Sequence, residues 1–272
     1  MSAYRIAANR HRVTQILKVE EISPTVKKFT FKDRLCAKAM PGQFLMLWIP
    51  GVDEIPFSIL DAEGKKVSIA VKKVGEATEA LHAMKAGEKI GVRGPFGNSF
   101  TIKHCKILMI GGGTGIAPLL FLAKRLAGKA EKLVLITGAK TRGELLFLNE
   151  LKKVFGENLI ATTEDGSFGI KGLATEPLEA VLAKEKFDFI YTCGPEQMMR
   201  KVLDLAEKNE IALEASLERI MRCAIGICGS CVLGNYRVCR DGPVFSFNQL
   251  RSVKSEFGFL KRDFCGRKVP LE

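Results

Sequence analysis

No stretch of this chain approaches the roughly 18 consecutive apolar residues that a membrane-crossing helix needs, so no membrane association is expected. The opening residues, MSAYRIAANRHRVTQILKV, lack an apolar h-region, which predicts no secretory signal. The expected compartment is the cytoplasm, where cysteines stay reduced and clusters of them bind metal more often than they form disulfides. The 272 residues carry a net charge of +12. Lys and Arg are nevertheless spread along the whole length, without a dense basic tract or basic–aromatic interleaving. That dispersion reads as a solvated surface rather than a nucleic-acid interface. Histidine is scarce, and His11, His82 and His104 stand far from the cysteine cluster described below. They are poor ligand candidates. There is no internal repeat and no low-complexity tract.

What is present divides by pattern. The length suits two compact domains plus an appendage. In the first hundred residues, VTQILKVE, TVKKFTFK, QFLMLWI, PFSIL and KKVSIAVKKV read as strands separated by Pro, Gly and Asp. Their close spacing predicts a small antiparallel barrel. A short helix starting near Glu76 interrupts it, and KIGVRGPFG closes it. From Lys106 strands and helices alternate. KILMI, KLVLITGA, NLIATTEDG, FDFIYTCG and IALEASLE are strands. Helices run through LLFLAKRLA, GELLFLNELKKVF, LATEPLEAVLA and PEQMMRKVLDLAEKNE. Such alternation with apolar strands predicts a parallel sheet covered on both faces. The expected fold is therefore α+β and multidomain: a barrel over 1–103, an α/β unit over 104–215, and a cysteine-bearing segment with a polar tail over 216–272.

Gly111, Gly112, Gly113 and Gly115 follow a strand and precede a helix, with Thr114 among them and Pro118 in the first helical turn. Glycine there lets backbone amides approach a phosphate at the helix start. The pattern departs from G-x-G-x-x-G because Ile116 occupies the third glycine position. The next strand ends at Thr137, Gly138, Ala139 and Lys140, without the acidic residue that favours NAD. Lys140 and Arg142 offer charge for a 2′-phosphate, so NADP stays open beside NAD. Cys193, Gly194 and Pro195 end a parallel strand at the ligand-binding edge, where Cys193 is either a buried thiol or a functional one. In the barrel, Pro56, Phe57 and Ser58 could flank a flat cofactor, although Phe in a strand is usually core. Gly75, Glu76, Ala77 and Thr78 form a second glycine-to-helix turn, which is either a phosphate site or an ordinary cap.

Four of the eight cysteines fall within 17 residues: Cys223, Cys228, Cys231 and Cys239, spaced C-x4-C-x2-C-x7-C. Zinc sites usually pair two C-x2-C knuckles. C-x4-C-x2-C followed by a distant cysteine is the plant-type 2Fe-2S spacing. Gly226 and Gly229 would let amides point at the sulfurs and tune the potential. Cys36, Cys105 and Cys265 read as packing residues. A zinc-stabilised nucleotide-binding module is the alternative from another class.

Taken together, PFSI in a barrel, GGGTGIAPL, TCGP, the cysteine motif and RVCRDGPVF resemble the ferredoxin–NADP reductase superfamily over nearly the whole chain. Within it they are most similar to the electron-transfer subunits of dihydroorotate dehydrogenases. The diaphorase subunits of cytosolic hydrogenases and the small subunits of NADH-dependent ferredoxin–NADP reductases share this layout. The resemblance implies an oxidoreductase of pyrimidine biosynthesis that holds FAD, NAD and a 2Fe-2S cluster. It implies a hetero-oligomer with an FMN-containing catalytic subunit or another redox partner. It puts Pro56, Phe57 and Ser58 at the flavin ring, with Ser58 near the reactive nitrogen. Gly75, Ala77 and Thr78 would hold the FAD pyrophosphate, residues 111–115 the NAD pyrophosphate, and Cys193 would lie near the nicotinamide. The four clustered cysteines would be the ligands. The superfamily commonly has Arg before the Pro, whereas here that place is Ile55. Lys72, Lys73 or the helix at Thr78 would then neutralise the flavin phosphates.

Overall fold

A computed structural model describes residues 3–271; Met1 and Ser2, which begin the stretch read for a signal, lie outside them. A short helix α1 (Ala3–Ala8) precedes β1 (Arg12–Ser23), β2 (Val26–Lys32), β3 (Phe44–Ile49), β4 (Asp53–Glu63), β5 (Lys66–Lys72) and β6 (Lys89–Phe96). These six strands close a barrel in the order β1-β2-β5-β4-β3-β6, and every pairing is antiparallel. Phe29, Phe31, Leu45, Leu47, Val67 and Ile69 fill the interior. Helix α2 (Glu76–Ala83) interrupts the meander and buries Leu81 against the same core.

The second unit is a seven-stranded sheet. Its strands are β7 (Lys106–Gly112), β8 (Lys132–Ala139), β9 (Leu159–Thr163), β10 (Ile170–Lys171), β11 (Phe189–Cys193) and β12 (Ala212–Ser216). After two short strands, β13 (Val232–Leu233) and β14 (Tyr236–Arg237), the chain adds β15 (Val244–Ser246). The spatial order is β10-β9-β8-β7-β11-β12-β15, parallel except that β15 runs antiparallel to β12. Helices α3 (Ile116–Leu126) and α4 (Leu148–Phe155) cover one face, and α5 (Glu176–Lys184) and α6 (Glu196–Lys208) cover the other. Along β7, Ile107 and Met109 enter the first core while Leu108 and Ile110 enter the second. Burial on both faces is why these strands read as unbroken apolar runs. Among the described residues, no helix is long and apolar enough to cross a membrane.

Three expectations need correction. The helix expected through GELLFLNELKKVF begins only at Leu148. Leu145, Leu146 and Phe147 are all buried, but the backbone is extended at Leu145 (ψ 112°) and left-handed at Phe147 (φ +58°), so no helix runs through them. The strand expected over IALEASLE is confined to β12, because Leu217 and Glu218 leave the sheet toward the cysteines. The polar tail is structured. It supplies β15, α7 (Val238–Asp241), α8 (Phe247–Ser252) and a terminal hairpin of β16 (Leu260–Arg262) and β17 (Lys268–Pro270). Its Phe245, Leu250, Val253 and Phe257 join the core of the α5/α6 face.

The barrel and sheet meet where α3 packs on β4. Phe121 of α3 reaches the barrel core, and Lys124 pairs with Asp61 at 2.5 Å. The cysteine-bearing segment is fastened by a buried ion pair between Glu196, at the start of α6, and Arg219. Their side chains are only 7% and 5% exposed. Both carboxylate oxygens accept from the guanidinium, one of them at 2.7 Å. The backbone N–H of Gly258 donates to the same carboxylate at 2.9 Å. Removing one member of a buried pair strands the other charge. Glu196→Ala should therefore lower unfolding free energy by about 3 kcal/mol, read as a shifted midpoint in urea titration of the holoprotein.

Candidate functional site

From β7 the chain moves outward through β8, β9 and β10, then returns to place β11 on the opposite side of β7. That reversal opens a crevice at the carboxyl ends of β7 and β11, the usual ligand position in open α/β sheets. The turn of residues 112–115 leaves β7 there, Gly194 and Pro195 leave β11, and the register sets Cys193 beside Gly111. The two turns touch backbone to backbone. A Cβ on Gly115 would fall on the carbonyl of Cys193, and one on Gly112 would lie 2.9 Å from the Pro195 ring. The glycines are thus required for close approach, and Gly113 also for its φ of +53°. Helix α3 starts at Ile116 and continues a 3-10 turn over Gly113–Gly115, so the amides that open this helical segment lie at the crevice.

Three cavities meet at this turn. The first, about 1000 Å³, is lined by residues 112–115, Gly194, Pro195 and the terminal hairpin. The second, about 330 Å³, lies against the barrel and is lined by Pro56, Phe57, Ser58, Thr78 and Ala117. The third, about 320 Å³, lies beyond the turn beside Lys140, Glu144, Glu164 and Lys201. Lys72, Thr114, Glu218 and Arg219 line both of the first two, and Lys72 lines all three. Glu218 is exposed and opens onto the cavities, and the protein packed around it raises its carboxyl pKa.

Pro56, Phe57, Ser58, Lys72, Thr78 and Thr114 therefore come together. Cys193 does not join them. It is 2% exposed and lines none of the three cavities; burial, above all, drives its thiol pKa upward. Gly111 is likewise beneath the turn, where Ile116 and Leu119 pack on it. Gly75 and Ala77 sit at the start of α2, outside the cavity lining. The Thr78 hydroxyl is fully engaged within its own turn. It accepts from the N–H groups of Val74 (2.8 Å) and Gly75 (3.0 Å) and donates to the Gly75 carbonyl (2.8 Å). What that turn can offer a ligand is backbone amides at the start of α2. The sequence reading missed the 217–221 stretch, which walls two cavities and leads directly into the first clustered cysteine. Its only signal was its place between the last parallel strand and the motif.

The cysteine loop is tightly curled: Ala224, Gly226 and Gly229 take φ of +61°, +80° and +76°. The side chain of Arg240 packs where a Cβ on Gly226 would stand, and Arg237 donates to the Gly226 carbonyl at 2.6 Å. The sulfurs are arranged as two pairs. Cys223 Sγ accepts from the N–H groups of Ile227 (3.3 Å) and Cys228 (3.5 Å), while Cys231 Sγ accepts from Cys239 N–H (3.4 Å). Burial raises Cys228, but hydrogen bonds from Ser230 and Cys223 outweigh it and bring the thiol down to about 7. The Cys239 thiol stabilises the Cys231 thiolate, lowering it to about 6, while Cys239 itself is raised. Thiolates are the metal-binding form.

A barrel feeding a parallel sheet, with a nucleotide-type turn at the switch point and a cysteine loop beyond it, defines a flavin- and nicotinamide-linked electron-transfer protein. A solved NADH-dependent reduced ferredoxin–NADP oxidoreductase, studied for flavin-based electron bifurcation, shares it with a TM-score of 0.79 and 30% identity, over 88% of this chain and 89% of that one. The family model for the iron-sulfur cluster binding domain of dihydroorotate dehydrogenase B matches residues 218–251. That for the oxidoreductase NAD-binding domain matches residues 109–204. The probable dihydroorotate dehydrogenase B (NAD(+)) electron transfer subunit of Methanocaldococcus jannaschii is 44% identical, over 94% of this chain and 97% of its own length. Its counterpart in Pyrococcus furiosus is 43% identical, over 92% and 96%. The chain belongs to the family of dihydroorotate dehydrogenase B electron transfer subunits.

The residues fit the groups this family implies. Two sulfur pairs suit a cluster of two irons, two thiolates to each. The barrel-side cavity, walled by Phe57, Pro56 and Ala117 with Lys72 at its rim, suits a flat apolar ring joined to phosphates. Gly115→Ala should push the turn off the Cys193 carbonyl and cost about 1–3 kcal/mol, measured by thermal unfolding, with the barrel cavity left intact.

Proposed function

We propose that this chain passes electrons between NAD and the catalytic, FMN-bearing subunit of an NAD-linked dihydroorotate dehydrogenase, as one component of a cytoplasmic hetero-oligomer. The observation that carries the proposal is continuity. The 217–221 stretch walls both cavities at the glycine turn and runs without interruption into the paired thiols. All eight cysteines are free thiols, which supports a reducing compartment.

In this reading, bound FAD supplies the exchange between a two-electron hydride carrier and a one-electron cluster. The protein supplies placement. Pro56, Phe57 and Ser58 present the barrel wall to the flavin ring. The amides opening α2 at Ala77 and Thr78, after Gly75, meet its pyrophosphate. Lys72 takes the neutralising role that Ile55 cannot perform. Residues 111–115 form the turn for the NAD pyrophosphate, and Gly194 and Pro195 bound the nicotinamide end. Cys193, buried below, positions the β11 turn rather than touching the nicotinamide. NAD is favoured over NADP because Glu144 and Glu164 share the third cavity with Lys140 and Lys201, offsetting the positive charge that a 2′-phosphate would require. Cys223, Cys228, Cys231 and Cys239 ligate the cluster. The exposed Ile227 and Cys228 make this loop the docking edge for the catalytic subunit.

The 30% likeness to the ferredoxin–NADP oxidoreductase supports a second reading, with a different redox partner. Affinity purification of the native complex separates the two by whether a dihydroorotate-oxidising subunit is recovered. Cys228→Ser should abolish dihydroorotate-driven NAD reduction and the 2Fe-2S EPR signal. It should spare NADH oxidation by artificial acceptors; loss of both activities would argue that the loop is merely structural.

A further inference from the structure

The terminal hairpin lies beyond residue 251, outside both segments matched by the family models, and yet it builds one wall of the largest of the three cavities at the glycine turn. Its position is fixed at both ends. At the root, Gly258 N–H donates to Glu196 (2.9 Å), Arg200 to the Phe257 carbonyl (3.0 Å) and Leu271 N–H to the Phe259 carbonyl (2.8 Å). At the tip, Arg222 donates to the Phe264 carbonyl at 3.0 Å. The two strands pair Lys261 with Val269 and Arg262 with Lys268. Side chains alternate faces along a strand. Lys268 is turned away from the cavity and pairs with Glu256. Lys261 and Val269, one residue out of phase, line the cavity that also holds the glycine turn, as do the neighbouring Arg262 and Pro270.

The glycine turn itself contributes amides and no cation. Of the cations around this cavity, Arg219 is neutralised by Glu196, and Lys72 stands on the barrel side. A dinucleotide on the turn would leave the outer oxygens of its phosphates to the opposite wall, and there the hairpin offers two half-buried basic side chains, Lys261 and Arg262; Arg262 is tied to the Gly266 carbonyl at 2.8 Å, which leaves the Lys261 ammonium for a ligand. We infer that the hairpin is the outer wall of the NAD site and that Lys261 is a phosphate-binding residue for the dinucleotide, with Val269 packed beside it. The inference rests on the reading of residues 111–115 as the NAD turn.

The test uses the full-length protein loaded with FAD and cluster. Oxidised NAD is titrated calorimetrically, so that no turnover occurs. Lys261→Ala should raise the Kd about tenfold, as expected for a lost charge-assisted contact. Lys261→Glu should raise it further, and Lys261→Arg should restore it to within about threefold. The affinity of the Ala variant should also lose part of its salt dependence. Lys268→Ala, on the far face of the same hairpin, should bind NAD as the wild type does. Flavin absorbance and the cluster EPR signal should be unchanged in Lys261→Ala. Wild-type affinity in both Lys261→Ala and Lys261→Glu would overturn the assignment, as would equal weakening by Lys268→Ala, which would indicate a purely structural hairpin. A wild-type protein that does not bind NAD would instead overturn the glycine-turn reading, and Lys261 with it.

Discussion

The buried pair between Glu196 and Arg219 is the contact around which the functional half of the molecule is organised. Glu196 opens α6 directly after the Gly194–Pro195 turn, so its position is set by the parallel sheet. Arg219 belongs to the stretch that leaves β12 for the cysteine loop. Joining them at 5% and 7% exposure fixes that stretch against the sheet. The Gly258 amide on the same carboxylate brings the terminal hairpin to the same point. One carboxylate thereby registers the nucleotide turn, the wall shared by two cavities and the root of the hairpin. Two charges kept from water in this way need close geometry to be tolerated; both oxygens of Glu196 are engaged, while Arg219 Nε has no partner among the described residues.

The three cavities share their linings because the chain reverses direction in the sheet at the same place where the barrel abuts α3. Thr114 belongs to the glycine turn, Lys72 to the end of a barrel strand, and Glu218 and Arg219 to the connecting stretch. Each comes from a different part of the sequence, and all four line the junction of the first two cavities. A hydride carrier and a flavin must approach within van der Waals distance to react, and a seam lined by both domains provides that.

Much of this was legible in the residues. Alternating apolar strands and helices gave the parallel sheet because two-sided burial leaves a plain signature. The clustered glycines marked the turn because backbone contact forbids any side chain there. The cysteine spacing pointed to an iron–sulfur segment, and the iron-sulfur cluster binding family model spans all four cysteines. Other features had no local signature. Leu145, Leu146 and Phe147 look helical, but the backbone is extended at Leu145 and left-handed at Phe147. The Thr78 hydroxyl looked available, but its own turn consumes it. The residues after 240 read as a polar tail because their apolar side chains, Phe245, Leu250, Val253 and Phe257, are spaced to fit one face of a sheet that is assembled elsewhere. Glu218 and Arg219 acquire their meaning only from the cavities around them.

The antiparallel β15 strand has a consequence for modularity. It follows the last clustered cysteine yet pairs with β12, and the Asn98 side chain exchanges hydrogen bonds with the backbone of Val244 at 2.8 and 2.9 Å. The iron-carrying region is therefore stitched into the architecture that precedes it, with its return strand serving as the border of the nucleotide-binding sheet and as a brace to the barrel. An unprotected sheet border invites pairing with other chains. Without this region the β12 border of the sheet would lie unpaired, so the region is part of the sheet rather than a free-standing cassette.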